Sequence, residues 1–242
     1  MHAPSAYFTP LACVPDAGGL PALAERLAAQ LFRGDFRAPG FALVSLGPAV
    51  DSRTLRRFMI ALKGVLAAQY HRRTGRHLVS LSAGRFDQQA TTKFHLDGAP
   101  EESFLLLGYE PTRVRSAISL ADYSRAAYDR GLTPREFLAA YNPMFAAGEQ
   151  ALAPYVTRLT VFDPSAAQVL LINNSSLPVR ADGSTQLGVL HQATIPAPNP
   201  AERRIVNSTL LVPAADPADE PIPPEALREF LETDRIAGPS YG

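Results

Sequence analysis

Apolar residues spaced three or four positions apart predict two helices near the start of the chain. The stretch LPALAERLAAQLF, residues 20–32, has leucine and alanine at that spacing, and Gly34 follows as a stop. Asp51 or Ser52 is suited to cap a second helix, which the pattern carries to about Tyr70. Both helices are expected to pack on the β-rich remainder of the chain.

Short apolar runs bounded by Pro, Gly, Asp and Asn predict strands through most of the rest. The predicted strands are residues 41–46, 77–81, 91–97, 103–107, 113–120, 155–162 (YVTRLTVF), 168–174 (QVLLINN), 188–195 (GVLHQATI) and 203–213 (RRIVNSTLLVP). Helical patterns are also present at residues 122–128, from Thr133-Pro134, and at PPEALREFLETD in the acidic tail. The first 16 residues are typical of an arm or loop.

Two helices beside a β-rich remainder do not alternate as βαβ units would. We therefore expect a mainly β protein with flanking helices, an α+β fold. Its core is predicted to be an antiparallel barrel or jelly roll, a cupin-like double-stranded β-helix. A single domain over residues 1–242 is expected, with a helical part at about 17–75, a barrel at about 77–213 and a tail at 214–242.

Composition narrows the classes of partner. The chain has 242 residues, no formal net charge and 19% charged residues, so no overall field favours nucleic acid or an anionic membrane. The basic run at residues 71–77 is interpreted as the end of a helix. A small-molecule partner is therefore expected, and a homo-oligomer is compatible with the sequence.

The cysteine count and the lengths of the apolar runs indicate a cellular location. Cys13 alone excludes an intrachain disulfide framework and a thiolate zinc site, and it fits a reducing compartment. No apolar run reaches the roughly 18–20 residues that cross a bilayer. The N-terminus also lacks the pattern of a signal peptide, so a cytoplasmic protein is expected.

His95-Leu96-Asp97 is the most informative motif of the chain. In an extended strand His95 and Asp97 project to the same face. A distant histidine, His191, could supply a third ligand. Two histidines and one carboxylate with open positions are typical of non-haem Fe(II) oxygenases. Each part taken alone is a short pattern that a surface pair or a core histidine also explains.

Arg204 lies thirteen residues after His191 and opens an apolar strand. A guanidinium in that position is suited to bind a carboxylate. By strand alternation Ser208 shares the face of Arg204, while Arg203 points the other way and is the runner-up for the carboxylate. Lys93 shares a face with His95. Tyr109 and Tyr123 are assigned to core or rim packing.

Together, His95-x-Asp97, His191 and the run from Arg203 to Thr209 (RRIVNST) resemble the Fe(II)/2-oxoglutarate-dependent dioxygenases. The double arginine is most similar to the taurine dioxygenase-like branch. Asn173-Asn174 is similar to an Asp-Asn that precedes the distal histidine there, and Pro39-Gly40-Phe41-Ala42-Leu43-Val44 resembles the entry strand. The likeness extends loosely over about residues 36–213.

The resemblance implies a role for each matching residue. His95, Asp97 and His191 would bind Fe(II), and Arg204 would bind the distal carboxylate of 2-oxoglutarate, whose other end chelates the metal. Ser116 is a candidate for a hydroxyl that assists this carboxylate, and Ser208 for a residue that lines the pocket. The implied activity is oxidation of a small molecule with dioxygen, most simply its hydroxylation, with formation of succinate and CO2.

The sequence departs from the family pattern at two points. The segment at residues 175–190 is longer than the usual link, either as a loop over the active site or as a surface excursion. Ser208 replaces a basic residue common in the taurine branch, which argues against a sulfonate substrate. Two alternatives stay open: a cupin-like barrel that binds a metal or ligand without 2-oxoglutarate-dependent catalysis, and a metalloenzyme that binds water or a thiol instead.

Overall fold

The structure, a computed structural model, describes residues 2–236, which form a mixed α/β protein with a sheet-rich core and flanking helices. The strands are β1 (Phe8–Pro10), β2 (Phe41–Gly47), β3 (His77–Asp87), β4 (Phe104–Tyr109), β5 (Ala117–Ala121), β6 (Val156–Arg158), β7 (Ala167–Asn173), β8 (Leu190–Thr194) and β9 (Ile205–Ala214). The helices are α1 (Leu20–Leu31), α2 (Ser52–Thr74), α3 (Tyr123–Tyr128), α4 (Pro134–Ala140), α5 (Ala146–Leu152) and α6 (Pro224–Glu232).

The strands form two sheets. A six-stranded sheet has the order β1-β2-β7-β4-β9-β3, and a three-stranded sheet has the order β6-β5-β8. Every neighbouring pair is antiparallel except β1 and β2, which are parallel. An isolated bridge between His95 and His191 brings a further segment to the free edge of β8.

The two faces of the large sheet are buried against different layers. On one face, Leu106 and its neighbours pack against α1, α2 and α6. On the other face, Leu105 and Leu107 pack with Ile118 and Leu120 of the small sheet. Because side chains alternate along a strand, β4 supplies both cores at once. The space between the two sheets is the setting of the candidate site.

The predicted start of α2 at Asp51 is confirmed, whereas α1 already ends at Leu31, three residues before the predicted stop at Gly34. The Asp51 side chain accepts a hydrogen bond from the Thr54 backbone N–H at 2.8 Å. Helix α2 runs one turn beyond the predicted Tyr70 and ends at Gly75, whose φ of 72° suits glycine. Its last turn carries part of the basic run, which stabilises a helix C-terminus. Among the described residues, none of the helices is both long enough and apolar enough to cross a bilayer.

The prediction of a regular strand at residues 91–97 is wrong. This segment makes only the single bridge at His95, because threonine hydroxyls take over the pairing next to it. The Thr91 and Thr92 side chains accept hydrogen bonds from the backbone N–H groups of Ile195 and Ala193, at 2.9 and 3.0 Å. Such bonds hold the segment beside β8 without a regular ladder.

Other element predictions were wrong in extent. The predicted strand at residues 155–162 shortens to β6, and the one at 113–120 starts later, as β5. The predicted arm contains β1, which pairs with β2. A three-residue strand that ends in proline offers no alternation to detect, and its Pro10 is tolerated because β1 lies at the sheet edge.

The long segment at residues 175–190 folds back on itself. Ser176 bridges to Leu187, and the Leu187 backbone N–H donates to the Arg33 carbonyl at 2.9 Å. Gly34 touches the backbone of Gly183 so closely that a Cβ there would meet the Gly183 carbonyl oxygen at 2.1 Å. The segment is therefore packed against the end of α1.

Candidate metal centre

Two imidazoles and one carboxylate converge at the edge of the small sheet. The Oδ1 atom of Asp97 lies 3.5 Å from Nε2 of His95 and 3.6 Å from Nε2 of His191. One possible donor atom from each residue lies within 4.8 Å of the other two. Two imidazoles and one carboxylate this close together are suited to bind one metal ion.

A backbone pairing places the two histidines side by side. The His95 N–H donates to the His191 carbonyl, and the His191 N–H donates to the His95 carbonyl, both at 3.1 Å. The ring centroids are 4.2 Å apart as a result. This one antiparallel pair holds the motif in place, although residues 91–97 do not form the predicted strand.

The hydrogen bonds of His95 leave one ring nitrogen free to bind a cation. Its Nδ1 lies 2.7 Å from the Lys93 carbonyl oxygen, and because a carbonyl only accepts, Nδ1 carries the proton. The lone pair is then on Nε2, which faces Asp97. Metal-binding histidines are held in this way by a bond to the other ring nitrogen.

Asn174 fixes the backbone of Asp97 from the end of β7. The Asp97 N–H donates to Oδ1 of Asn174, and Nδ2 of Asn174 donates to the Asp97 carbonyl, both at 3.0 Å. Nδ2 also donates to the Ser103 hydroxyl at 3.0 Å. Because Asn174 is buried, its amide holds both backbone polar groups of Asp97, as a neighbouring strand would, and so orients the Asp97 side chain.

The charge states of Asp97 and His191 suit a cation. Burial lowers the pKa of His191 to about 4, with a contribution from His95. Burial also acts to lower the pKa of His95, but its contacts with Asp97 and the Lys93 carbonyl outweigh this effect and raise it. Burial would raise the pKa of Asp97, yet the two imidazoles lower it. At neutral pH the site therefore holds a carboxylate and a neutral His191.

A cavity of about 170 Å³ opens beside the three residues. It lies between the sheets, and its remaining walls are apolar (Phe86, Leu107, Ile118, Ala193, Val206) or polar (Gln88, Tyr109, Gln192). A mostly apolar cavity with a few convergent polar groups is typical of a small-molecule site. Residues 175–190 do not line it.

Arg204 is buried behind two of these wall residues. Its Nη1 donates to Oε1 of Gln88 at 2.6 Å, and its guanidinium lies 5.2 Å from the centre of the Tyr109 ring. The residue is 2% exposed, and its buried Nη2 has no hydrogen-bond partner among the described residues. Within the part of the chain that the structure describes, no carboxylate forms an ion pair with this guanidinium. The nearby Asp87 carboxylate accepts from the Arg204 backbone N–H and not from the guanidinium, so the buried guanidinium is suited to bind an anion directly.

The other predicted residues lie outside the cavity wall. Arg203 is exposed, and its carbonyl accepts a hydrogen bond from Thr112. Ser208 lies on the same strand face as the cavity-lining Val206, two residues further along β9, and does not line the cavity. Ser116 precedes β5, and its buried hydroxyl has no partner among the described residues. Lys93 forms an exposed ion pair with Glu149 of α5 at 2.6 Å.

Three residues of this site carried no clear signal in the sequence. Gln88 belongs to no motif, and its closeness to Arg204 follows only from the pairing of β3 with β9. Tyr109 was assigned to packing, although it both lines the cavity and stacks on Arg204. Asn174 was noted only through the resemblance, with no role attached.

Comparisons with known proteins found distant similarity to solved structures. No protein-family model matches it, and no curated protein matches it. Solved structures of an iron and alpha-ketoglutarate-dependent endoperoxidase, NvfI, match at 14% identity over 75% of this chain and 79% of that chain, with a TM-score of 0.34. A tryptophan-to-phenylalanine variant of NvfI matches with a TM-score of 0.33. A form of NvfI with a different conformation matches with a TM-score of 0.34 over 77% of its length. Both matches have 14% identity and cover 75% of this chain. At such TM-scores the likeness does not show the family of this chain.

Proposed function

We propose that this protein is an Fe(II)- and 2-oxoglutarate-dependent oxygenase that oxidises a small molecule. His95, Asp97 and His191 would hold the metal. The observation that carries the proposal is the convergence of their donor atoms within 4.8 Å at the mouth of a cavity. The donor set fits Fe(II), because two imidazoles and one carboxylate leave positions for a cosubstrate and dioxygen.

When bound, Fe(II) would supply dioxygen activation coupled to the decarboxylation of 2-oxoglutarate to succinate and CO2. The residues of the chain have separate tasks. Asn174 holds the Asp97 carboxylate in position, and the Lys93 carbonyl holds the His95 ring. The apolar walls, such as Leu107 and Val206, exclude water from the reacting groups.

Arg204 is proposed to bind the distal carboxylate of 2-oxoglutarate. Its burial without an acidic partner supports this role, since an arriving carboxylate would neutralise the charge and engage the free Nη2. Arg203 is less suited because it is exposed. Ser116 and Ser208 remain proposed as candidate hydroxyls near this carboxylate, although neither lines the cavity.

The proposal extends to the fold and its setting. The two facing sheets would be the halves of a jelly roll within one domain, and the flanking helices would cover the outer face of the larger sheet. The run from Arg203 to Thr209, with Asn173-Asn174, supports a place beside the taurine dioxygenase-like branch. The single, exposed Cys13 suits a cytoplasmic enzyme.

Equilibrium binding tests the proposal. Calorimetry with Mn(II), which stands in for Fe(II), should show one site in the wild-type protein. That site should be lost in His95→Ala, Asp97→Ala and His191→Ala, but retained in His71→Ala, an exposed histidine elsewhere. 2-Oxoglutarate should bind only after the metal. A protein that binds the metal but never 2-oxoglutarate would instead be the cupin-like binding barrel or the metalloenzyme that binds water or a thiol.

A further inference from the structure

Gln88 stands between Arg204 and the cavity. Gln88 lines the cavity together with all three proposed metal ligands, whereas Arg204 does not line it. The only described side-chain atom that accepts a hydrogen bond from the Arg204 guanidinium is Oε1 of Gln88, at 2.6 Å from Nη1. An anion in the cavity therefore meets Gln88 before it meets the guanidinium.

The sheet holds Gln88 in this position. Its backbone N–H donates to the Arg204 carbonyl at 3.0 Å, directly after the last paired residues of β3 and β9. On the other strand, the Arg204 N–H donates to Oδ1 of Asp87 at 2.9 Å. These two bonds fix both backbones, so the Gln88 side chain can rotate while Arg204 stays in place.

We propose, on the basis of the proposed function, that Gln88 is a latch on Arg204. In the free protein the side-chain carbonyl of Gln88 accepts a hydrogen bond from Nη1 of Arg204. The distal carboxylate of 2-oxoglutarate displaces this carbonyl when it binds. The latch selects for ligands that can displace it. A neutral amide offers one uncharged oxygen, whereas a carboxylate offers two charged oxygens to the planar fork of the guanidinium.

This exchange of Gln88 for a carboxylate accounts for a buried arginine that lacks one hydrogen-bond partner in the free protein. With Gln88 in place, Nη1 is satisfied and Nη2 is not. With a carboxylate in place, both nitrogens can be satisfied and the charge is neutralised. An uncharged or singly hydrogen-bonding ligand gains too little to displace the amide, so the cavity is expected to select dicarboxylates whose second carboxylate reaches Arg204.

Two opposite substitutions test the latch. Gln88→Ala removes the competing carbonyl, and Gln88→Glu replaces it with a carboxylate that pairs permanently with Arg204. Calorimetry on the Mn(II)-loaded protein measures 2-oxoglutarate affinity without turnover, alongside Arg204→Ala. Gln89→Ala is the matched control, because the Gln89 amide bonds to the carbonyls of Asn199 and Glu202 and does not line the cavity.

We expect Gln88→Ala to bind 2-oxoglutarate more tightly than wild type, and Gln88→Glu to bind it weaker by roughly tenfold or more. Gln89→Ala should match wild type, and Mn(II) affinity should stay constant in all of them. If Gln88→Ala bound 2-oxoglutarate no more tightly than wild type, or if Gln88→Glu kept the wild-type affinity, the latch would be overturned while the proposed function stood. A metal-loaded wild type that bound no 2-oxoglutarate would overturn both.

Discussion

At the scale of single residues, Arg204 says most about what the cavity binds. Its guanidinium is buried, is stacked on Tyr109, and donates, among the described residues, to the neutral Gln88 alone, through its side chain and its backbone carbonyl. A cation in such surroundings is stabilised by a carboxylate that enters from the cavity. The neighbouring Arg203 has the same chemistry on the outside of the sheet, so the pair offers an internal comparison.

Replacing Arg204 with alanine should weaken 2-oxoglutarate binding by about 2–5 kcal/mol, because a buried charge-assisted pair is lost. Arg203→Ala should leave the affinity unchanged. Calorimetry on the two Mn(II)-loaded variants measures the difference. If Arg203→Ala lost the cosubstrate and Arg204→Ala kept it, the assignment of the carboxylate site would be wrong by one residue.

Asn174 should act on the metal site through Asp97 rather than by touching the metal. Asn174→Ala removes both hydrogen bonds to the Asp97 peptide, and we expect Mn(II) affinity to fall about 10–100-fold. Asn173→Ala is a matched control, since this equally buried amide bonds to the Leu31 carbonyl and Gln186 instead. Both variants should lose stability, but only Asn174→Ala should lose metal affinity. Equal metal affinities in the two variants would contradict the positioning role.

Metal binding should weaken in acid because protons compete for His95. The pKa of His95 is raised above its usual 6.5 in the metal-free protein, so His95 becomes protonated first as the pH falls. His191, with a pKa of about 4, stays neutral over that range. Mn(II) affinity should therefore drop by about tenfold per pH unit below the raised pKa, as one proton is displaced per metal. Calorimetry across that range should show this slope, and a flat profile would speak against His95 as a ligand.

At the scale of elements, a buried arginine ties the entry to β8 to the end of α1. The Arg33 guanidinium donates to both carboxylate oxygens of Asp122, at 2.7 and 2.6 Å, and to the carbonyls of Leu187 and Gly188. A Cβ on Gly40, whose φ is 79°, would come within 2.6 Å of the Arg33 Nε. The residues just before β8 are thus anchored three to four positions ahead of His191.

Arg33→Ala should lower the free energy of unfolding by about 3–5 kcal/mol, because it leaves the Asp122 carboxylate without its buried partner. Arg37→Ala, at a side chain that is 92% exposed and paired with Asp35 at 3.4 Å, should change it by less than about 0.5 kcal/mol. Urea denaturation of the two variants measures both values. A loss for Arg33→Ala no larger than that for Arg37→Ala would mean that this anchor adds no stability.

At the scale of the whole molecule, hydrophobic periodicity and capping residues predict most of the helices and strands. They do not predict which segments pair over long distances in the sequence. The two long helices, α4 and the strands β2, β4, β7, β8 and β9 follow local patterns, so their positions could be predicted. The irregular segment at residues 91–97 could not, because its threonine hydroxyls bond to a part of the chain about 100 residues away. The pairing of residues far apart in sequence depends on the completed fold.

The candidate site divides in the same way. His95, Asp97 and His191 were predicted as a set, and the structure brings them together. Gln88 and Tyr109 were not predicted, since each meets Arg204 only through the pairing of neighbouring strands. Residue types that bind metals stand out in a sequence, whereas a glutamine or tyrosine that meets a buried arginine across strands does not.

Anaerobic absorption spectroscopy tests the central claim most directly. Fe(II) is added to the wild-type protein, followed by 2-oxoglutarate, with Asp97→Ala as the control. A metal-to-ligand absorption band should appear only when all three components are present, saturate at one equivalent of each, and be absent from Asp97→Ala. A wild-type protein that binds Fe(II) yet develops no such band with 2-oxoglutarate would contradict the proposal.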